Sequence, residues 1–271
     1  MKNYRTEIEP LWNKARALSK AGEYSDALTY AEQAVEKIEK SGVCTEDDKY
    51  EYHCFDEVFE NVLYSHMFEP EKELKIIDEP LSRIYLDCGA LLYEAKRFDD
   101  AMVALEKGMK WNPMDARIRF EYGEVFKVRH EMESFFEITK ETMPFLFRFE
   151  DMARCYRNLG FYFIETKKYD VAMALYLLSL HFEYNEIALS EMEYIKDMCN
   201  DVKTDMSTEE ILSLIKQEQL YLMPAEHVLN LAYSYGNHML ENDMKDGAKY
   251  FFEIVYKATK NKKVEEILRK L

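Results

Sequence analysis

The chain has 271 residues, 48% hydrophobic and 32% charged, with only 8 Gly and 6 Pro, so it can bury a large core and reads as nearly all helix. A formal charge of -16, with no Lys/Arg block, excludes the basic face that a nucleic-acid or anionic-membrane binder needs. No run approaches the roughly 18 apolar residues of a membrane span, and the start MKNYRTEIEPLW lacks the apolar stretch of a signal peptide.

The first helix pair begins near Ile8, with Leu11, Ala15 and Leu18 on one helix and Ala27, Ala31 and Ala34 on the next. Residues 42–81 have room for a second hairpin. There EDDKYEYHCFDEVFENVLYSH puts Tyr52, Phe55, Val58, Phe59, Val62 and Leu63 on one side of a helix. Pro70 then opens a short helix over EKELKIID, since proline suits a first turn.

The next stretch, GALLYEAKRFDDAMVALEKG over 89–108, places a glycine inside a helical pattern. That costs roughly 1 kcal/mol against alanine, so something must offset it. Twelve residues on from Gly89, across the turn AKRFDD, stands Ala101. The same step leads from Gly123 to Phe135, Gly160 to Ala172, Gly236 to Ala248 and Ala15 to Ala27. A small residue on the first helix lets the second approach closely, and the burial gained offsets the propensity cost. Just inside each second helix stand Ser25, Asp99, Glu133, Asp170 and Asp246, suited to capping or to the positive helix end. In the gap 187–228, IALSEMEYIKDMCN is one helix and STEEILSLIKQEQLYL another, with Ser207 as its cap. The tail VEEILRKL is amphipathic and suits a lid over the last hairpin.

These residues resemble the tetratricopeptide repeat, a 34-residue helix–turn–helix unit with a small residue at fixed places on both helices. Clear copies span 8–41, 82–115, 116–149, 153–186 and 229–262, with degenerate hairpins over 42–81 and 187–228. In the copy 116–149, Phe135 stands where a small residue is usual. The resemblance implies an all-α fold over 1–271: a single right-handed superhelical solenoid of about seven hairpins with a concave groove.

No Gly-rich phosphate loop, HExxH or GxSxG is present, and the six histidines show no metal-ligand spacing. The expectation is a non-catalytic scaffold without a cofactor. Five cysteines with no CxxC read as free thiols, hence a cytoplasmic protein. By resemblance, the second position of each repeat faces the groove. Here that is Arg83, Arg117 and Arg154, joined by Arg157 and Asn158, with Asn13, Arg16, Asn230 and Asn237 extending the polar strip. Such a ladder suits a protein or peptide partner that is acidic or ends in a carboxylate, because the guanidinium fork donates two parallel hydrogen bonds. Alternatively Asp87 and Glu121, four residues after Arg83 and Arg117, neutralise it locally. Tyr93, Phe120 and Tyr233 are expected on the groove side. A second reading is a peptide-sensing regulator, similar to bacterial quorum receptors but lacking their DNA-binding domain.

Overall fold

The computed structural model describes residues 4–271. Its contacts divide into two compact units, one ending at Glu131 and the other beginning at Met132. Among the described residues, no helix is long and apolar enough to cross a membrane.

In the first unit, α1 (Glu9–Lys20) pairs with α2 (Tyr24–Lys40), and α4 (Leu81–Glu94) with α5 (Phe98–Trp111); α6 (Ala116–Val128) packs on both α4 and α5. Helix α2 packs directly on α4. One apolar core runs through Ala15, Ala31, Cys88, Leu92, Ala104 and Val125. The two hairpins therefore stack on one another, and the 40 residues between them leave the stack.

That segment is not the helical hairpin the sequence pattern predicts. It folds as β1 (Tyr50–His53), α3 (Val58–Phe68) and β2 (Glu73–Ile76), the strands pairing in parallel with Tyr50 opposite Glu73 and His53 opposite Ile76. Parallel strands need a crossover connection, which α3 supplies. The residue types of Tyr50-Glu-Tyr-His and Glu73-Leu-Lys-Ile are compatible with strands, since tyrosine and isoleucine suit a pleated surface. Helix α3 starts late, at Val58, because Glu57 and Glu60 form a reciprocal capping box there.

The second unit holds α7 (Met132–Thr142), α8 (Phe149–Glu165) paired with α9 (Tyr169–Phe182), and α12 (Glu226–Glu241) paired with α13 (Lys245–Thr259). Phe135 of α7 is buried and meets the Phe161 ring of α8 edge-on at 6.1 Å. Helices α10 (Glu186–Met198) and α11 (Thr208–Gln217) occupy the expected gap, and Ser207 caps α11. They differ from a repeat hairpin in that each packs on α9, with no substantial contact between the two. Helix α14 (Lys262–Leu268) covers α13 and buries Val264.

The glycine riddle resolves at side-chain level. A Cβ on Gly89 would lie 2.6 Å from Leu105 Cγ, and one on Gly160 2.8 Å from the Tyr176 ring. The glycine receives the residue sixteen on, four beyond the small residue of the second helix. The same spacing recurs at Gly236 and Phe252, where the gap is 3.0 Å.

The turns obey one rule too. Lys96, Lys167 and Asp243 have φ of 59°, 61° and 57°, and Gly22, at the equivalent place, has 81°. Each closes its helix with paired bonds, such as the Arg97 amide to the Leu92 carbonyl and the Lys96 amide to the Tyr93 carbonyl, both 2.9 Å. The residue after it is already the N-cap of the next helix: Glu23, Arg97, Lys168 and Met244, none with a side-chain cap bond. Ser25, Asp99, Asp170 and Asp246 therefore do not cap. They are the second helical residues, where the acids meet the positive helix end.

Candidate functional site

Helix α4 carries Arg83 near its start, and α6 carries Arg117 as its second residue. Both converge on Asp56, in the bend between β1 and α3. Arg83 Nε donates to Asp56 Oδ1 at 2.7 Å, and Arg117 Nη2 donates to Asp56 Oδ2. Arg117 also grips Asp115, with Nε to Oδ1 at 2.9 Å and Nη2 to Oδ2 at 2.6 Å. Asp115 is the N-cap of α6 and accepts the Arg117 amide as well. The Asp56 side chain is 5% exposed and that of Asp115 0%. These bonds hold the Arg117 guanidinium charged, its pKa raised first by Asp115.

The arginine pair is thus neutralised, but Arg83 by Asp56 rather than by Asp87. Sequence reasoning missed Asp56 because its placement depends on the strand–helix–strand segment. Asp115 was legible as a capping residue. The same segment is further fixed by the Cys54 amide donating to the Trp111 carbonyl at 2.9 Å and by Asn112 Nδ2 donating to Glu60 Oε2 at 2.9 Å.

In the second unit, Arg154, Arg157 and Asn158 lie on one side of α8. Arg157 Nη1 donates to Glu183 Oε2 at 2.9 Å. Asn158 is 7% exposed, and its Nδ2 is buried with no hydrogen-bond partner.

The first unit also contains a cleft of about 300 Å³ along α1, α4 and α6. Arg16 and Lys20 line one side; Asp87, Glu94 and Glu121 line the rest, with Tyr93 among them. Trp12 Nε1 donates to Asp87 Oδ2 at 2.7 Å, and the Arg16 guanidinium lies 4.9 Å from the Trp12 ring centroid. Burial pushes the Asp87 carboxyl above its usual range, against the opposing pull of the Trp12 bond and Arg16. Tyr93 lines this cleft. Phe120 does not: it is 1% exposed, part of the core. Tyr233 is part-exposed and meets Phe252 edge-on at 5.7 Å.

Two buried thiols, Cys54 and Cys88, offer little reactivity. Burial pushes Cys54 up to about 11 and Cys88 up to about 12, so both stay protonated at neutral pH.

A family model described as tetratricopeptide repeat matches residues 13–41. Among solved structures, pilF of Pseudomonas aeruginosa is similar with 11% identity, covering 99% of this chain and 100% of that one at a TM-score of 0.52. MamA from residue 41 onward, from Desulfovibrio magneticus RS-1, has 11% identity over 79% of this chain and 96% of its own, TM-score 0.48. A thermophilic TPR protein of Thermus thermophilus has 15% identity over 69% of this chain and 98% of its own, TM-score 0.37. No curated protein matches by sequence. With its interlocked helix pairs and a repeat signature matched over 13–41, the chain has an all-α helical repeat fold similar to that of tetratricopeptide-repeat proteins.

Proposed function

We propose that the chain is a non-catalytic protein-interaction scaffold of a reducing compartment, and that a peptide segment of its partner lies in the cleft along α1, α4 and α6. The cleft carries this reading. It is concave, it draws on the first helices of successive repeats, and it offers Tyr93, Leu91 and Ala90 between charges of both signs. A tyrosine among such groups gives apolar area and a hydroxyl together. Filling the cleft tests the reading: Ala90→Trp should abolish capture of the peptides that the parent chain selects from a random peptide library. Peptides that bind both chains equally would sink it.

The finer proposal concerns α8. An acidic segment, or a chain ending in a carboxylate, is received there by Arg154 and Arg157, with Asn158 donating to its main chain. The support is the unpartnered Asn158 amide, since an unsatisfied buried donor costs about 1–3 kcal/mol in the free protein. Asn158→Leu should therefore leave the melting temperature level or raised while weakening acidic peptides. Arg83 and Arg117 serve such a ligand only if its carboxylate replaces Asp56.

The cleft also favours a second reading, a sensor of short peptides. A large thermal shift with peptides of about five to ten residues supports the sensor; shifts only with long partner segments support the scaffold.

A further inference from the structure

Helix α10 carries a surface that the cleft and the arginines do not use. Its packed face is Ala188, Met192 and Ile195, which lie on one side and are buried. Beside that face runs a second apolar stripe. Ile187, Tyr194 and Met198 fall within about 20° of one another's mean direction at 100° per residue, and Tyr184 leads into them. They are 67%, 47% and 52% exposed, and Tyr184 is 74% exposed. A stripe at i, i+7 and i+11 is the pattern a helix presents to another helix.

Among the described residues, no helix covers it. In α8/α9 and α12/α13 each first helix is paired with the one that follows. Helix α11, which follows α10, packs on α9 instead. The place of the second helix in this repeat is vacant on the α10 side.

Charge identifies what fits there. Glu186, Glu193 and Asp197 line the outer flank of the stripe, all exposed, and Glu191 lies at its inner edge. Lys196, the only basic residue of α10, points to the opposite side. A second copy of this chain would bring the same acids against themselves, on a molecule of net charge -16. We infer that the α10 face docks a basic amphipathic helix of a partner protein, its apolar stripe on Ile187, Tyr194 and Met198 and its lysines or arginines on Glu186, Glu193 and Asp197. Such a helix takes the position that α13 takes against α12.

The probe is a synthetic amphipathic helix of about 18 residues, leucine on one face and lysine on the other, long enough to hold helix on binding. Its fluorescence anisotropy is followed with the full chain. Binding is expected to fall at least about tenfold for the triple variant Ile187→Ser, Tyr194→Ser, Met198→Ser, and similarly for Glu186→Lys, Glu193→Lys, Asp197→Lys. The melting temperature should stay unchanged in both, because the altered side chains are solvent-facing. The cleft variant Ala90→Trp should bind the helix as the parent does. A scrambled peptide of the same composition is the control for bulk attraction to an acidic protein. Equal binding of the scrambled peptide, or no loss in the triple variants, overturns the proposal. So does sedimentation showing a parent dimer that Ile187→Ser converts to monomer, since the face is then covered by a second copy.

Discussion

The α8/α9 hairpin and the β1–α3–β2 segment solve the problem of holding two elements together by opposite means. The hairpin does it with volume. Gly160 is cut back so that Tyr176, 2% exposed, can fill the space. The segment does it with charge and hydrogen bonds: Asp56 between two arginines, Glu60 on Asn112, and a main-chain bond from Cys54 to Trp111. Steric interlock recurs at Gly89, Gly160 and Gly236. A polar staple is unique to the residues that form it, and that is why the hairpins form a series while the segment stands once.

The largest effect should come from breaking the interlock. Gly160→Leu places a branched side chain where even a Cβ is 2.8 Å from the Tyr176 ring, and should cost about 3 kcal/mol or more by calorimetry. The milder pair sharpens the point. Gly89→Ala alone should destabilise, because its Cβ meets Leu105 Cγ at 2.6 Å. Combined with Leu105→Ala it should cost less than the two separate losses added, by roughly 1 kcal/mol or more of coupling. Strict additivity would mean that the two residues do not share the space.

The polar staple should respond differently. Asp56→Ala leaves Arg117 bonded to Asp115 and leaves Arg83 45% exposed, so the loss should be about 2 kcal/mol, below that of a fully buried broken pair. Amide exchange should quicken over residues 50–76 while that of α4 and α5 stays slow. Uniform quickening would show that the segment and the hairpins unfold as one.

The same contrast governs how much was legible in the sequence. Gly89, Gly160 and Gly236 announce their hairpins because a glycine in a helix has a cost with one common remedy, close packing. The partner sixteen residues on was less visible, since Leu105, Tyr176 and Phe252 share only bulk. In 42–81, helical spacing of Tyr52, Phe55 and Phe59 competed with strand alternation over Tyr50–His53, and short stretches satisfy either period. Pairing with Glu73–Ile76 decided the matter, and that is a long-range contact. The arginines were found by register, but their partner Asp56 belongs to the misread segment. Ser25, Asp99 and Asp170 were misjudged as caps by two residues, because the turn merges the end of one helix with the start of the next.

Titration offers a smaller test in the cleft. Native Asp87 holds its proton above the unfolded value, so between the two values the native state binds more protons and stability falls as pH rises. Asp87→Asn keeps an acceptor for Trp12 Nε1 and removes the penalty. Its stability at neutral pH should match or exceed that of the parent, with a flatter profile above about pH 4. The gain should be modest, because 37% of the side chain is exposed. A loss at neutral pH would mean that attraction from Arg16 outweighs burial.

The smallest effect lies in the turns and asks whether the hairpins carry strain as well as interlock. Lys96 and Lys167 adopt left-handed backbone that costs a non-glycine residue roughly 1–2 kcal/mol, at a place where the first repeat uses Gly22. Substituting glycine relieves that cost but returns about 0.5–1 kcal/mol through the freer unfolded chain. The balance favours glycine by about 0.5 kcal/mol per turn, so Lys96→Gly and Lys167→Gly should each raise the melting temperature slightly and, being far apart in sequence and in different units, add when combined. The neighbouring Lys168 has an ordinary negative φ of -91° and bonds Glu218 at 2.7 Å, so the control Lys168→Gly should destabilise instead. A gain at position 168 equal to that at 167 would show that chain flexibility, rather than the sign of φ, sets the stability of these turns.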